Sequence, residues 1–241
     1  LKGVIVLREK IIVALDTAEE SSVKELVASL ENRVEVFKIG LEQYLASRGK
    51  VVDYLNSKGK KVFLDLKFHD IPNTMAAAAR QAVGHGVWMF NIHVTGLEGM
   101  KAVVEAAETE ALKLGVKKPL IIGVTVLTSL NNNDLQMLGN RYSAGELVLK
   151  KAALAAKAGF DGVVCSANEA GEIKQKAVGD FLTVCPGIRP DWAVKGDQKR
   201  IMTPANAVKE GADYLVIGRP ITKADNPAAA VEKIIKEIEG V

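Results

Sequence analysis

Short runs of Val, Ile and Leu alternate with Ala-, Lys- and Glu-rich amphipathic stretches from one end of the chain to the other. The apolar runs predict eight strands, over residues 10–16, 34–40, 61–68, 89–94, 119–127, 160–166, 181–187 and 213–220. Between them a 3.6-residue period predicts helices over 19–30, 74–83, 97–114, 143–158 and 168–177. A last helix is expected over 227–239, with Asn226 as N-cap and Pro227 in the first helical position. Near-continuous apolar strands suit a parallel sheet covered on its outer face, and the alternation implies right-handed βαβ units. Eight strands with seven or eight helices therefore predict one α/β domain over residues 1–241, a single closed (β/α)8 TIM barrel. An open doubly wound sheet is the competitor. It is disfavoured because TAEESS, not a Gly-rich dinucleotide turn, follows the first strand.

Composition agrees with that class and narrows the partners. A length of 241 residues suits such a barrel, which typically needs about 250, and 48% hydrophobic content supplies its core. A net charge of +3 from 32 basic and 29 acidic residues gives no reason to invoke nucleic acid or an anionic membrane, but admits an anionic small substrate. No apolar run reaches the roughly 18 residues of a membrane helix. The opening LKGVIVLREK has charges on both sides of a very short apolar run, unlike a signal peptide. Cys165 and Cys185 each close a β-branched run and are expected as buried thiols, not a disulfide, which points to a cytoplasmic compartment. His69, His85 and His93 do not form a metal-ligand spacing, so no metal and no cofactor is expected.

Candidate chemistry lies where strands end, because barrels of this type build their sites at the carboxyl-terminal face. Those ends carry Asp16, Lys38, Asp65 with Lys67, His93, Thr128 with Ser129, Arg189 and Arg219, whereas the opposite ends read as ordinary. Two apart on one strand, Asp65 and Lys67 are expected to share a face, with Leu64, Leu66 and Phe68 turned toward the helices. Lys38 lies on the neighbouring strand, with Phe37 and Ile39 on its other face. Lys38, Asp65, Lys67 and Asp70 then predict a chain of alternating charge. A purely structural ion network is the plainer alternative, although packed apolar groups often replace such networks without loss of stability. Pro72 signals a helix start, for which Asp70, Asn73 and Thr74 are the candidate caps. Residues 187–204 form a long polar connection of the kind that usually serves as a lid. Trp192 within it reads as a packing anchor, His69 as a surface residue, His85 as a turn residue and 131–136 as a polar loop leading into a helix. His93 points to the site, as a neighbour of the charged chain or as a core histidine.

The string DLKFHDIPNT over 65–74 resembles the signature D-x-K-x-x-D-[IV]-x-x-T of the orotidine 5'-phosphate decarboxylase family at every specified position. ALD at 14–16, FKIG at 37–40, HVTG at 93–96, VLTS at 126–129, CPGIRP at 185–190, Gln198 and IGRPI at 217–221 follow in the family's order. The resemblance spans essentially the whole chain. It implies decarboxylation of orotidine 5'-monophosphate to UMP and carbon dioxide in de novo pyrimidine biosynthesis, by a homodimer with shared sites. Lys67 would protonate C6 of the pyrimidine, flanked by Asp65 and by Asp70 of the partner subunit. Asp16 and Lys38 would hold the ribose hydroxyls, and Ile71 and Thr74 would complete the partner's pocket. Thr128 with Ser129 would read the pyrimidine edge. Arg189, Gln198, Gly218 and Arg219 would grip the phosphate, with Pro186 bordering the lid.

Three rivals differ in chemistry. A 3-keto-L-gulonate 6-phosphate decarboxylase of the same superfamily shares D-x-K-x-x-D but depends on magnesium and typically has an acid in place of Lys38. A Schiff-base role for Lys67 needs a neutral amine, whereas adjacent carboxylates favour the ammonium. A non-catalytic nucleotide-binding protein would have no use for Lys67.

Overall fold

The computed structural model describes residues 8–177, 180–193 and 202–241. Eight strands close into a parallel barrel in chain order, β1 beside β8. They are β1 (Ile11–Ala14), β2 (Val36–Gly40), β3 (Lys61–Phe68), β4 (Met89–His93), β5 (Leu120–Val124), β6 (Gly162–Val164), β7 (Leu182–Cys185) and β8 (Tyr214–Ile217). Both faces of these strands are buried, which is why they read as unbroken apolar runs. Ile12, Ala14, Val36, Phe63, Met89, Ile122, Val184 and Val216 fill the barrel interior. The alternate residues, among them Ile11, Val13, Phe37, Ile39, Leu64, Phe90 and Ile92, pack outward against the helices. The closed (β/α)8 arrangement expected from the alternation is the one observed. Most strands are shorter than their apolar runs, because buried loop residues such as Val126 and Ile188 extend the hydrophobic signal past the last ladder bond.

The outer layer comprises α1 (Glu20–Ser29), α2 (Leu41–Ser47), α3 (Lys50–Ser57), α4 (Pro72–Gly84), α5 (Leu97–Leu114), α6 (Asn132–Met137), α7 (Ala144–Lys157), α8 (Ala167–Lys176), α9 (Pro204–Lys209), α10 (Arg219–Thr222) and α11 (Pro227–Glu239). No helix among the described residues is long and apolar enough to cross a membrane. Caps set several starts. Ser143 and Glu146 form a capping box at α7, Asn131 and Asp134 another at α6, and Asn226 Oδ1 accepts from Ala229 N at 3.0 Å at α11. At α4 the expected caps do not serve. Ile71 occupies the N-cap without a side-chain bond, and Pro72 at the first position has no N–H to satisfy. Asp70 Oδ1 instead accepts from Ile71 N at 2.7 Å. Between α2 and α3 the chain turns through two left-handed residues, Arg48 and Gly49 (φ 54° and 82°). A Cβ on Gly49 would sit 2.9 Å from the His85 ring, so the close approach demands glycine.

The amino-terminal ends of the strands are not as plain as expected. Asp161 Oδ2 accepts the amide of Ile121 at 2.7 Å, and Asp213 Oδ2 accepts that of Thr183 at 2.8 Å while pairing with Lys174. These acids are occupied with backbone amides that begin the ladder.

Candidate active site

The inward column of each strand builds the site floor. In β2 the inward residues after Val36 are Lys38 and Gly40; in β3 Asp65 follows Phe63; in β4 Asn91 follows Met89. Polar groups thus begin one step above the apolar interior layer. Asp65 lies between two lysines: its Oδ1 is 2.7 Å from Lys67 Nζ and its Oδ2 is 3.3 Å from Lys38 Nζ. Lys38 Nζ also meets Asp16 Oδ1 at 2.9 Å. The alternating chain therefore runs Asp16–Lys38–Asp65–Lys67. Asp70, expected as its last member, is exposed beyond β3 and does not join the chain within its own subunit, which Asp16 extends at the other end.

Lys67 and Asp65 meet as expected, but a regular strand does not bring them together. Leu64 pairs with Phe90 and Phe68 with Ile92, so three residues of β3 stand against the single Asn91 of β4. Within this bulge Lys67 adopts φ 50°, a left-handed conformation that costs a side-chain-bearing residue about 1–2 kcal/mol. Leu64, Leu66 and Phe68 still pack on the helix side.

Lys38 is 8% exposed. Burial is the largest influence on its ammonium and pushes the pKa down, yet the Asp65 and Asp16 carboxylates together outweigh it and hold it above the ordinary lysine value. Gly40 leaves room for this pair, since a Cβ there would lie 3.1 Å from Lys38 Nζ and 3.4 Å from Asp16 Oδ1.

Above the charged floor opens a cavity of about 480 Å³. Asp16, Lys38, Asp65, Lys67, Thr128, Pro186, Arg189, Gly218 and Arg219 all line it. So do Thr222 and Lys223, which carried no signal in the sequence because they lie in a short helical turn after β8. Arg189 is buried, and its amide bonds Met202 O at 2.9 Å while Ile188 and Met202 form a parallel bridge. That bridge pinches the two ends of the long connection together at the cavity edge. Trp192 lies within it and is 47% exposed, with Lys233 of α11 5.6 Å from its ring centre, so it meets a cation at the surface and is not the buried packing anchor expected. Gln198 lies outside the described residues.

Four expected residues do not line their own chain's cavity. Asp70, Ile71 and Thr74 form an exposed ridge at the start of α4, with Ile71 66% exposed, and Ser129 is exposed beside Thr128. His93 faces inward above Asn91 without lining the cavity, and its ring lies 5.2 Å from that of His69. Burial, then the charges of His69, Lys151 and Lys67, push its pKa below the ordinary histidine value. Among the described residues no group of three His, Cys, Asp or Glu side chains is placed to hold a metal ion. Cys165 and Cys185 are buried with sulfurs 3.9 Å apart and no disulfide between them.

Comparison with known proteins places this geometry. Residues 9–234 match the model of the Orotidine 5'-phosphate decarboxylase / HUMPS family. The chain is 47% identical over 235 residues to an orotidine 5'-phosphate decarboxylase of Nostoc sp., covering 97% of this chain and 98% of that one. It is 49% identical over 232 residues to that of Geotalea daltonii, covering 96% of each. The crystal structure of orotidine 5'-phosphate decarboxylase from Lactobacillus acidophilus superposes with a TM-score of 0.84 at 34% identity, over 95% of this chain and 99% of that one. The likeness runs through the strands that carry the charged floor and both arginines, and the chain belongs to the Orotidine 5'-phosphate decarboxylase / HUMPS family.

Proposed function

We propose that the protein converts orotidine 5'-monophosphate to UMP and carbon dioxide, with Lys67 donating a proton to C6. One observation carries this reading. A lysine ammonium is fixed 2.7 Å from a carboxylate at the floor of a cavity whose rim bears two arginines. Arg189, Gly218 and Arg219 receive the phosphate, Asp16 and Lys38 the ribose hydroxyls, and Thr128 the pyrimidine edge. The placement of Arg219 just after β8 suits that assignment, since barrels often bind phosphate there.

In the reaction the bond from C6 to the carboxylate carbon breaks and its electron pair stays on C6. Carbon dioxide leaves, a proton passes from Lys67 Nζ to C6, and the neutral amine recovers a proton from water. The developing carbanion is localised on an sp2 carbon, so a pre-positioned ammonium stabilises it without reorganising solvent. Asp65 holds that ammonium and sets negative charge near the departing carboxylate. Enzymes lower barriers by up to about 23 kcal/mol, more than one ion pair supplies. Binding of the remote phosphate therefore contributes to order and desolvation at C6. The chemistry needs no metal, because Lys67 already supplies the positive charge. A magnesium-dependent relative with an acid in place of Lys38 is disfavoured, since Lys38 bridges Asp16 and Asp65 here.

The homodimer belongs to the same proposal. The ridge of Asp70, Ile71 and Thr74 is exposed and does not line its own cavity, which suits contribution to a second copy's pocket. A cytoplasmic setting, inferred from the two thiols, is proposed with it. The test is Lys67→Ala. Turnover is expected to vanish while UMP binding, measured by calorimetry, persists; turnover near that of the unaltered protein refutes the donor role.

A further inference from the structure

We propose that Asn91 is a positioning residue that holds Lys67 in its working geometry from both ends. The inference deepens the decarboxylase reading and rests on it. Asn91 lies at the middle of β4 and is 1% exposed, and Met89 two positions earlier belongs to the apolar barrel interior. An amide buried there is unfavourable unless both of its ends are bonded.

Both ends are bonded, to the same catalytic pair. Asn91 Nδ2 donates to Asp65 Oδ1 at 2.7 Å, and Asn91 Oδ1 accepts from the Lys67 backbone amide at 2.9 Å. A backbone N–H only donates and an ionised carboxylate only accepts, so this orientation of the amide is the one that satisfies both partners. The bulge between β3 and β4 takes the Lys67 amide out of the regular ladder, and Asn91 Oδ1 accepts it in place of a backbone carbonyl. That bond ties down a residue held at φ 50°. Meanwhile Asp65 Oδ1, which accepts from Asn91, is the oxygen that anchors Lys67 Nζ at 2.7 Å. One side chain thus fixes the backbone of Lys67 directly and its ammonium through Asp65. Asn91 does not line the cavity, so its effect on turnover passes through Lys67.

The experiment compares the unaltered protein with Asn91→Ala, which removes both bonds, and with near-isosteric Asn91→Asp. The aspartate keeps an acceptor for the Lys67 amide but sets a carboxylate against Asp65. Turnover is counted per UMP-binding site by calorimetric titration, so that loss of folded protein does not enter. Misplacement of a reacting group by about 1 Å costs on the order of 100-fold, and kcat is expected to fall by that order in both variants while UMP affinity stays within about threefold. Crystal structures of the variants are expected to show Lys67 out of its left-handed conformation or its ammonium off Asp65. A kcat per site near the unaltered value overturns the proposal. So does an unchanged Lys67–Asp65 pair in Asn91→Ala, whatever the turnover, and so does failure of both variants to fold, which assigns Asn91 to folding alone. Absence of turnover in the unaltered protein instead overturns the decarboxylase reading and leaves the structural comparison to judge Asn91.

Discussion

Lys38 is buried, yet its ammonium sits between Asp16 and Asp65 at 2.9 and 3.3 Å. Its folded pKa exceeds the ordinary 10.5, so the stability it contributes is complete below that value and is lost only as pH rises through the higher folded one. Removing Lys38 takes one of its two lysine partners from buried Asp65, which keeps Lys67, and the lysine contact from exposed Asp16, so Lys38→Ala is expected to lower unfolding free energy by about 1–3 kcal/mol in denaturant titration. A loss below about 1 kcal/mol, the worth of an exposed pair, contradicts this account. His93 behaves oppositely. Burial and neighbouring cations hold its pKa below the ordinary 6.5, so the unfolded chain binds the proton first. Its contribution is full above pH 6.5 and falls away as pH drops from there toward the lower folded value. His93→Gln is therefore expected to reduce the drop in melting temperature between pH 6.5 and 5 (read by calorimetry), and an unaltered slope contradicts the assignment. The charged residues at the carboxyl ends were legible in the sequence because each is conspicuous in an apolar run. Asn91 was not, since a single amide in MFNIHV looks like any strand residue until its partners are known.

At the scale of elements, β3 shows what periodicity can and cannot convey. Alternation put Asp65 and Lys67 on one face, and they are, but a bulge and a positive φ bring Lys67 there. Nothing in DLKFHD announces that bulge, because it depends on the pairing with β4. The longer helices were legible from their apolar stripe and caps, and α5 and α11 have the expected limits. The short α2, α3, α6, α9 and α10 span too few turns to establish a period. The site depends on one such junction, Gly40, where β2 passes into α2. Gly40→Ala would press a methyl to 3.1 Å from Lys38 Nζ. The ammonium must move, and with it the Asp16 contact, so substrate KM is expected to rise by about tenfold, equivalent to one lost charged hydrogen bond. Steady-state kinetics check it; an unchanged KM shows that Lys38 yields without cost to binding.

For the molecule as a whole, the closed barrel was the most legible feature, since eight buried parallel strands leave a repetitive apolar record. What the sequence did not display is how the acids at the amino-terminal ends are occupied. Asp161 and Asp213 at the amino-terminal ends resemble Asp16 and Asp65 in composition, and differ only in being tied to backbone amides. The exposed ridge of Asp70, Ile71 and Thr74 extends the account to a second subunit. If sites are shared, mixing inactive Asp70→Asn and Lys67→Ala proteins creates hybrid dimers with one intact site. Random exchange of equal amounts then restores about one quarter of the original activity, measured after exchange is verified by native mass spectrometry; no recovery after proven exchange contradicts the shared site. Beneath all of this lies the claim that a lysine ammonium on a carboxylate, with arginines at the rim, suffices for decarboxylation. The direct measurement is the fall in absorbance of orotidine 5'-monophosphate on adding pure, folded, EDTA-treated protein. The account predicts turnover at a rate that EDTA does not change, and no turnover, or turnover only after a divalent cation is restored, contradicts it.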